Sequence, residues 1–260
     1  MPEIVFWNPR PRLRETGVLS RVPHWRHVNN FGDLIGPWIV ERIRGTLNIG
    51  RSISSEQRLL TVGSGIPVCS QDGDIVWGSG IHGNYIPLTD VQRLDVRAVR
   101  GPLTAALLQG MGNEVPEVYG DPALLVPHLW SDSDLGIRRM SGGTVMVPNY
   151  HDVPSAPPNA LDPRGNLLER IRKIASANRV IASSLHGIVI AEAYGVPAVL
   201  VASSREHPFK YEDYYTGTGR QLPAVARDWR SALDMAAASP IENWDSEALL
   251  RAFPAELWSR

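Results

Sequence analysis

Ile181-Ala-Ser-Ser-Leu-His-Gly-Ile-Val-Ile-Ala-Glu-Ala-Tyr-Gly-Val-Pro-Ala-Val-Leu-Val201 is the stretch that decides the fold. Arg179–Ala182 reads as the end of a strand and Ser183–His186 as a short polar turn. Gly187–Tyr194 is apolar on nearly every side, the pattern of a helix buried between layers. Gly195 stops that helix at its C′ position, and Pro197 leads into a second apolar strand, Ala198–Ala202. A strand–turn–helix–strand unit aims its turn at the C-terminal edge of a parallel sheet, where open α/β folds bind ligands. His186 therefore sits at a helix N-terminus, where free N–H groups and the helix dipole favour an anion. The pattern leaves two roles open for it, proton transfer beside bound negative charge and simple capping of the helix.

Outward from this unit the same alternation continues, which predicts an α/β fold with a parallel sheet. Leu59–Val62, Ile75–Trp77, Val96–Arg100 and Thr144–Val147 read as buried strands. Pro37 fits the first position of a helix running to about Arg44 and closed by Gly45. Leu103–Gln109 and Leu167–Ala177 read as further helices, and Ser155–Pro163 and Phe209–Arg220 as loops. Ser131–Gly143 is polar, charged and closed by glycine, the best linker candidate. It divides the chain into an N-terminal Rossmann-like unit, 1–133, on the acceptor side, and a second, 144–240, on the donor side of a cleft. Residues 241–260, with Trp244, Leu249, Leu250, Phe253, Leu257 and Trp258, read as helical packing that returns to the first unit.

Bulk properties remove several function classes. Of 260 residues, 43% are hydrophobic and 20% charged, an ordinary globular balance. A net charge of −1 provides no field for nucleic acid. Cys69 is the single cysteine, which excludes an internal disulfide and a cysteine-based zinc site and suits a reducing cytoplasm. The seven histidines lack ligand spacing, so no metal site is expected. The first residues contain neither an apolar leader core nor a cleavage site, and no apolar run reaches the ~20 residues of a membrane span. Arginines at positions 10, 12, 14, 21 and 26 leave peripheral contact with a membrane open.

Gly78-Ser-Gly-Ile-His-Gly83 matches G-x-G-x-x-G and follows a strand. The dinucleotide fingerprint needs a helix opening on those glycines, and Asn84-Tyr-Ile-Pro87 follows instead. A tight turn lining the cleft is the better account. Four other segments are too polar or glycine-rich for packing alone: Asn29-Asn-Phe-Gly-Asp33, Arg97-Ala-Val-Arg-Gly-Pro-Leu-Thr104, Val118-Tyr-Gly-Asp-Pro-Ala-Leu-Leu125 and Phe209–Arg220. Arg100, beside the N-terminus of a helix, makes a compact anion site from guanidinium and backbone N–H groups. Asp121 reads as ordering its turn before Pro122. Asp33 is equally a helix N-cap or a cleft-facing carboxylate.

Together these segments resemble the polysaccharide pyruvyltransferase family, most closely the xanthan-type ketal pyruvate transferases. The resemblance runs from about Asn30 to Arg220. It rests on Asn-Phe-Gly-Asp, Trp-Gly-Ser-Gly-Ile, Leu-Asp-Val-Arg-Ala-Val-Arg-Gly-Pro, Val-Tyr-Gly-Asp-Pro, Ser-Ser-Leu-His-Gly with Ala-Glu-Ala-Tyr-Gly, and Phe-Lys-Tyr with Gly-Thr-Gly-Arg, in order and spacing. It implies a glycosyltransferase-B-like pair of Rossmann-type domains. It also implies transfer of pyruvate from phosphoenolpyruvate, as a co-substrate with no further cofactor, to a sugar diol as a cyclic ketal.

On that resemblance His186 would be the general acid that protonates the enol carbon. A bound dianion favours the imidazolium and the helix terminus opposes it, so its protonation is expected to follow donor binding. Arg100 would clamp a donor anion, and the backbone around Ser184-Leu185 would complete the cradle. Many relatives carry arginine where this chain has Ser184. Lys210, Arg220, Arg205 and His151 are the candidates for the missing cation. Asn30 and Asp33 would bind acceptor hydroxyls, with Asp33 a candidate base, and Tyr215 would stack on the acceptor, as would Tyr211 and Tyr214; burial explains these tyrosines equally well. The implied acceptor is a lipid-linked oligosaccharide at the inner membrane face. A nucleotide-sugar glycosyltransferase of the same fold and a non-catalytic carbohydrate-binding protein are the alternatives. The Glu-x7-Glu arrangement of the former is absent, since Leu200 stands eight residues beyond Glu192.

Overall fold

Seven short strands form two sheets, each wholly parallel, in the computed structural model, which describes residues 2–10, 27–50, 57–88, 92–141 and 143–258. The first sheet has the order β1 (Glu3–Val5), β2 (Arg58–Leu60), β3 (Ile75–Trp77), β4 (Asp95–Ala98). The second has the order β5 (Thr144–Val147), β6 (Arg179–Ala182), β7 (Ala198–Leu200). The helices are α1 (Phe31–Thr46), α2 (Ile66–Cys69), α3 (Pro102–Gly110), α4 (Val126–Leu129), α5 (Asp132–Leu135), α6 (Leu167–Ala175), α7 (Leu185–Ala193), α8 (Phe209–Gly217) and α9 (Ser246–Arg251). No described helix is long and apolar enough to cross a membrane. Of the N-terminal arginines, those at 12, 14, 21 and 26 lie outside the described residues, as does residue 142 of the linker.

Strands β3 and β7 are continuous apolar runs, buried throughout, because both faces of each sheet are covered there, as parallel sheets require. Along β2 and β3, alternate side chains enter different clusters. Leu59, Ile75 and Trp77 face a central core, whereas Leu60 and Val76 face a layer with Ile66, Ala105 and Leu108 of α2 and α3. The second sheet divides in the same way. Val180, Ala182, Ala198 and Leu200 point into the central core, while Ile181 and Val199 meet Ala226 and Ala232 of the C-terminal segment. Between the sheets, α1, α6 and α7 share the central core, with α7 buried along seven successive residues, Leu185–Ala191. This is why α7 has no polar stripe: it has protein on every side.

Several boundaries differ from expectation. Helix α1 begins at Phe31, so Asn30 is its N-cap, Asp33 lies in its first turn, and Pro37 is interior rather than first. The Phe31 amide is held by the Pro163 carbonyl of the other half, at 2.9 Å, which anchors the early start. Burial of Phe31, Ile35, Ile39, Val40 and Ile43 along one face outweighs the hydrogen bond that Pro37 cannot donate. Phe209–Gly217 is helix α8, not loop. Helix α7 opens two residues early, at Leu185, with Ser184 as its N-cap and His186 already helical. The C-terminal segment returns to the first sheet. Trp77 Nε1 donates to the Leu249 carbonyl at 2.9 Å and Trp244 Nε1 to the Tyr119 carbonyl at 2.8 Å, with Phe253 edge-on to Trp77.

Candidate active site

The C-terminal ends of strands from both sheets converge on one pocket of about 600 Å³. Phe6 and Trp7 follow β1, Gly63–Gly65 follow β2, and Ser79 and His82 follow β3. Asn149–His151 follow β5, Ser184–His186 follow β6, and Arg205 and Glu206 come after β7. Asn30 and Asp33 from the start of α1 and Lys210 from α8 complete the polar lining. A parallel sheet leaves its C-terminal edge to such loops, so two sheets aimed at one space concentrate six of them there.

His186 is nearly enclosed, and its Nε2 has no hydrogen-bond partner among the described residues. That atom lies 3.5 Å from Asp121 Oδ2, which is equally buried and unpartnered. The other oxygen of Asp121 accepts from the Ala123 amide at 2.9 Å, which orders the turn before Pro122 as expected. Nδ1 of His186 abuts Gly32, where an added Cβ would stand 2.3 Å from it. The Ser184 hydroxyl oxygen accepts from the Gly187 amide at 3.2 Å. Leu185 and His186, the first two residues of α7, line the pocket.

Asp33 is partly open to the pocket yet closely surrounded. Burial holds its carboxyl above the usual range, against the pull of His186, of the Asn30 hydrogen bond (2.6 Å) and of Lys210. Burial draws the Lys210 ammonium below its usual range, opposed by its ion pair with Glu206. Glu206 also accepts from His82 Nε2 at 2.7 Å. Burial raises its carboxyl, but His82 and Lys210 together outweigh burial and bring it down to about 2.

Of the residues expected from sequence, Asn30, Asp33, His151, Ser184, Leu185, His186, Arg205 and Lys210 share this pocket. Arg100, Arg220 and Tyr215 do not, and each has an internal partner. Arg100 is fully buried, with Nε donating to Asp213 Oδ2 at 3.0 Å, Nη1 to Ser64 Oγ at 2.6 Å and Nη2 to the Ile81 carbonyl at 2.9 Å. Asp213 also accepts from the amide and hydroxyl of Thr104, at 2.8 and 2.7 Å, and so caps α3. The anion that Arg100 and this helix N-terminus recognise is therefore the chain's own carboxylate. Arg220 pairs with Glu192 at 2.6 Å, and Glu192 also accepts from Tyr214 and Tyr215. This network occupies Tyr215, which is buried away from the pocket.

Sequence reasoning missed Ser64, Asn84, Tyr85, Glu206 and the role of His82. His82 belongs to the misleading glycine motif, which continues into a 3-10 turn, Gly83–Tyr85, rather than an α-helix. A histidine in a glycine-rich turn directly after a strand was the available signal.

The family model described as polysaccharide pyruvyl transferase matches residues 2–205. The match stops short of Lys210 and Arg220. The chain is 30% identical over 217 residues to the succinoglycan biosynthesis protein ExoV of Rhizobium meliloti (strain 1021). That alignment covers 76% of this chain and 66% of ExoV, so the chain spans just under two thirds of that relative's length. Among solved structures it resembles an uncharacterized protein, KP1_0663, from Klebsiella pneumoniae subsp. pneumoniae NTUH-K2044. The TM-score is 0.50 at 12% identity, with 82% of this chain and 87% of the other covered, a likeness of fold alone.

Proposed function

The chain belongs to the polysaccharide pyruvyl transferase family, and from that premise we propose that it transfers pyruvate from phosphoenolpyruvate to a sugar diol, forming a cyclic ketal and releasing phosphate. The observation that carries the proposal is one pocket holding His186 at the mouth of α7, Asp33 across from it and Lys210 beside them. Phosphoenolpyruvate brings a carboxylate and a phosphate. The amides of Leu185 and His186 at a helix N-terminus suit one anionic group. Lys210 and Arg205, whose exposed guanidinium has no described side-chain partner, suit the other and take the place of the arginine that Ser184 replaces. His151 lines the same rim.

His186 delivers a proton to the enol carbon, and a first sugar hydroxyl adds at the oxocarbenium-like centre with Asp33 as base. A base works best with its pKa drawn toward the operating pH, and Asp33 is shifted in that direction. The second hydroxyl then displaces phosphate. Of the two hydroxyl protons, one balances the proton delivered to carbon and the other leaves with phosphate, so the reaction calls for no resident cofactor. Arg100 acts from behind, holding Ser64 and the Gly63 loop that form the pocket wall.

The name of the succinoglycan relative and the family description support an exopolysaccharide, or its lipid-linked repeat unit in the cytoplasm, as acceptor. The two sheets and a pocket lined from both support a glycosyltransferase-B-like pair of units, 1–133 and 144–240, with 241–260 returning to the first. Calorimetric titration with phosphoenolpyruvate, and with UDP-glucose, UDP-galactose and NAD as controls, tests the donor. Selective phosphoenolpyruvate binding is expected, weakened about 10- to 100-fold in Lys210→Met by loss of a charge-assisted contact. Binding of a UDP-sugar with none of phosphoenolpyruvate contradicts the proposal.

A further inference from the structure

We infer that Asp121 is the positioning residue of His186, fixing the imidazole with its proton on Nε2 so that Nδ1 is the nitrogen presented to the pocket. Among the described residues, nothing else satisfies His186 Nε2 or Asp121 Oδ2. His186 Nε2 and Asp121 Oδ2 are both buried, both without a hydrogen bond, and 3.5 Å apart. An acceptor-only oxygen facing a ring nitrogen in a dry site selects the tautomer that donates to it. Hydrogen bonds of this kind are often long before substrate arrives and tighten in the complex.

The carboxylate is rigidly placed. Asp121 Oδ1 is fixed on the Ala123 amide. The preceding Tyr119 pairs in parallel with Val99 beyond the end of β4, and its carbonyl is held by Trp244. Pro122–Leu125, which follow, are buried in the central core against α7. Two other groups bear on the imidazole: Asp33 on α1 lies close enough to interact electrostatically with it, and the backbone of Gly32 leaves room for Nδ1. The division of labour is then clear. Asp121, unable to reach the pocket, sets the tautomer, and Asp33, which lines the pocket, is free to meet substrate.

This inference rests on the reading of His186 as the acid, but its primary test contains no substrate. Nitrogen NMR of the full chain with 15N-labelled imidazoles, assigned by the spectrum of His186→Gln, reports which nitrogen carries the proton in neutral His186. The expected result is Nε2–H in the wild type and Nδ1–H in Asp121→Asn, where the new amide keeps the Ala123 contact but presents a donor to the ring. Nδ1–H in the wild type overturns the inference, as does an unchanged tautomer in a folded Asp121→Asn. If that variant does not fold, the wild-type tautomer alone decides. In the transfer reaction Asp121→Asn is expected to lower kcat by about 10²–10⁴-fold with phosphoenolpyruvate affinity and KM nearly unchanged. A parallel loss of donor affinity marks a merely structural role and overturns the inference. Absence of phosphoenolpyruvate binding in the wild type would instead count against the proposed donor and leave the tautomer result standing.

Discussion

Asp33 is a carboxylate whose surroundings disfavour its charge. Burial raises its pKa despite His186 and Asn30 nearby, so the ionised form costs folding stability at every pH above the unfolded value near 3.8. The sign is opposite for Glu206. Its lowered pKa adds stability that is complete above the unfolded value of 4.5 and is lost as pH falls toward about 2. Asp33→Asn should therefore raise the neutral-pH unfolding free energy in urea while reducing transfer by about 10²–10⁴-fold. A variant less stable than wild type with full activity would show that Asp33 only supports the first turn of α1. At this scale the sequence marked the right chemistry but not always the right recipient. His186 and Lys210 were legible because a capped helix end and a matched motif place them. Arg100 was legible as an anion binder, yet its anion is Asp213, 113 residues away, and pairing over such a distance leaves no local trace. His82 and Glu206 are separated by 124 residues and were hidden for the same reason.

Two pairs of helices meet so closely that glycine is required at the contact. At the N-terminus of α3, a Cβ on Gly101 would stand 1.8 Å from the Asp213 carbonyl oxygen of α8, while one on Gly217 would stand 2.2 Å from the Arg100 carbonyl. A Cβ on Gly32 of α1 would stand 2.3 Å from Nδ1 and 3.1 Å from Cβ of His186 on α7. The two contacts predict different failures. Gly101→Ala presses on backbone and should lose at least the ~1–3 kcal/mol of ordinary overpacking, read as a lower Tm and poor soluble yield. Gly32→Ala presses on the ring and Cβ of the buried His186 rather than on backbone, so it should lose less stability than Gly101→Ala while displacing the imidazole and lowering transfer by about 10-fold or more, in line with the sensitivity of catalysis to misplacement. Equal stability losses in both would contradict this. Helix α8 was misread from sequence because Phe-Lys-Tyr-Glu-Asp-Tyr-Tyr has no apolar stripe. Its tyrosines are buried in the central core, and Tyr214 and Tyr215 donate to Glu192, a polar partner that periodicity cannot reveal. Helix α1 was started too late because Pro37 imitates a first-turn proline, whereas the true start is fixed by Pro163 from the other half.

Over the whole chain, the alternation of strands and helices was enough to give an α/β fold with parallel sheets. The return of the C-terminal segment to the first half was legible in its tryptophans and leucines. What the pattern did not reveal is that both sheets turn one face to a common core around α7, and that the bonds run from Trp77 to Leu249 and from Trp244 to Tyr119. These are products of packing between segments more than 100 residues apart. Their consequence is functional, since they hold Asp33 from the first half and His186 and Lys210 from the second around the same space. The most direct test of that arrangement is the reaction itself. Purified protein would be incubated in deuterated buffer with phosphoenolpyruvate and lipid-linked oligosaccharides, and the products followed by mass spectrometry and phosphate release. The account predicts one phosphate released per ketal formed, a ketal methyl carrying one solvent deuterium, and no product from a His186→Gln variant that still binds phosphoenolpyruvate. Undiminished ketal formation by His186→Gln, or a ketal methyl without solvent deuterium, would contradict it.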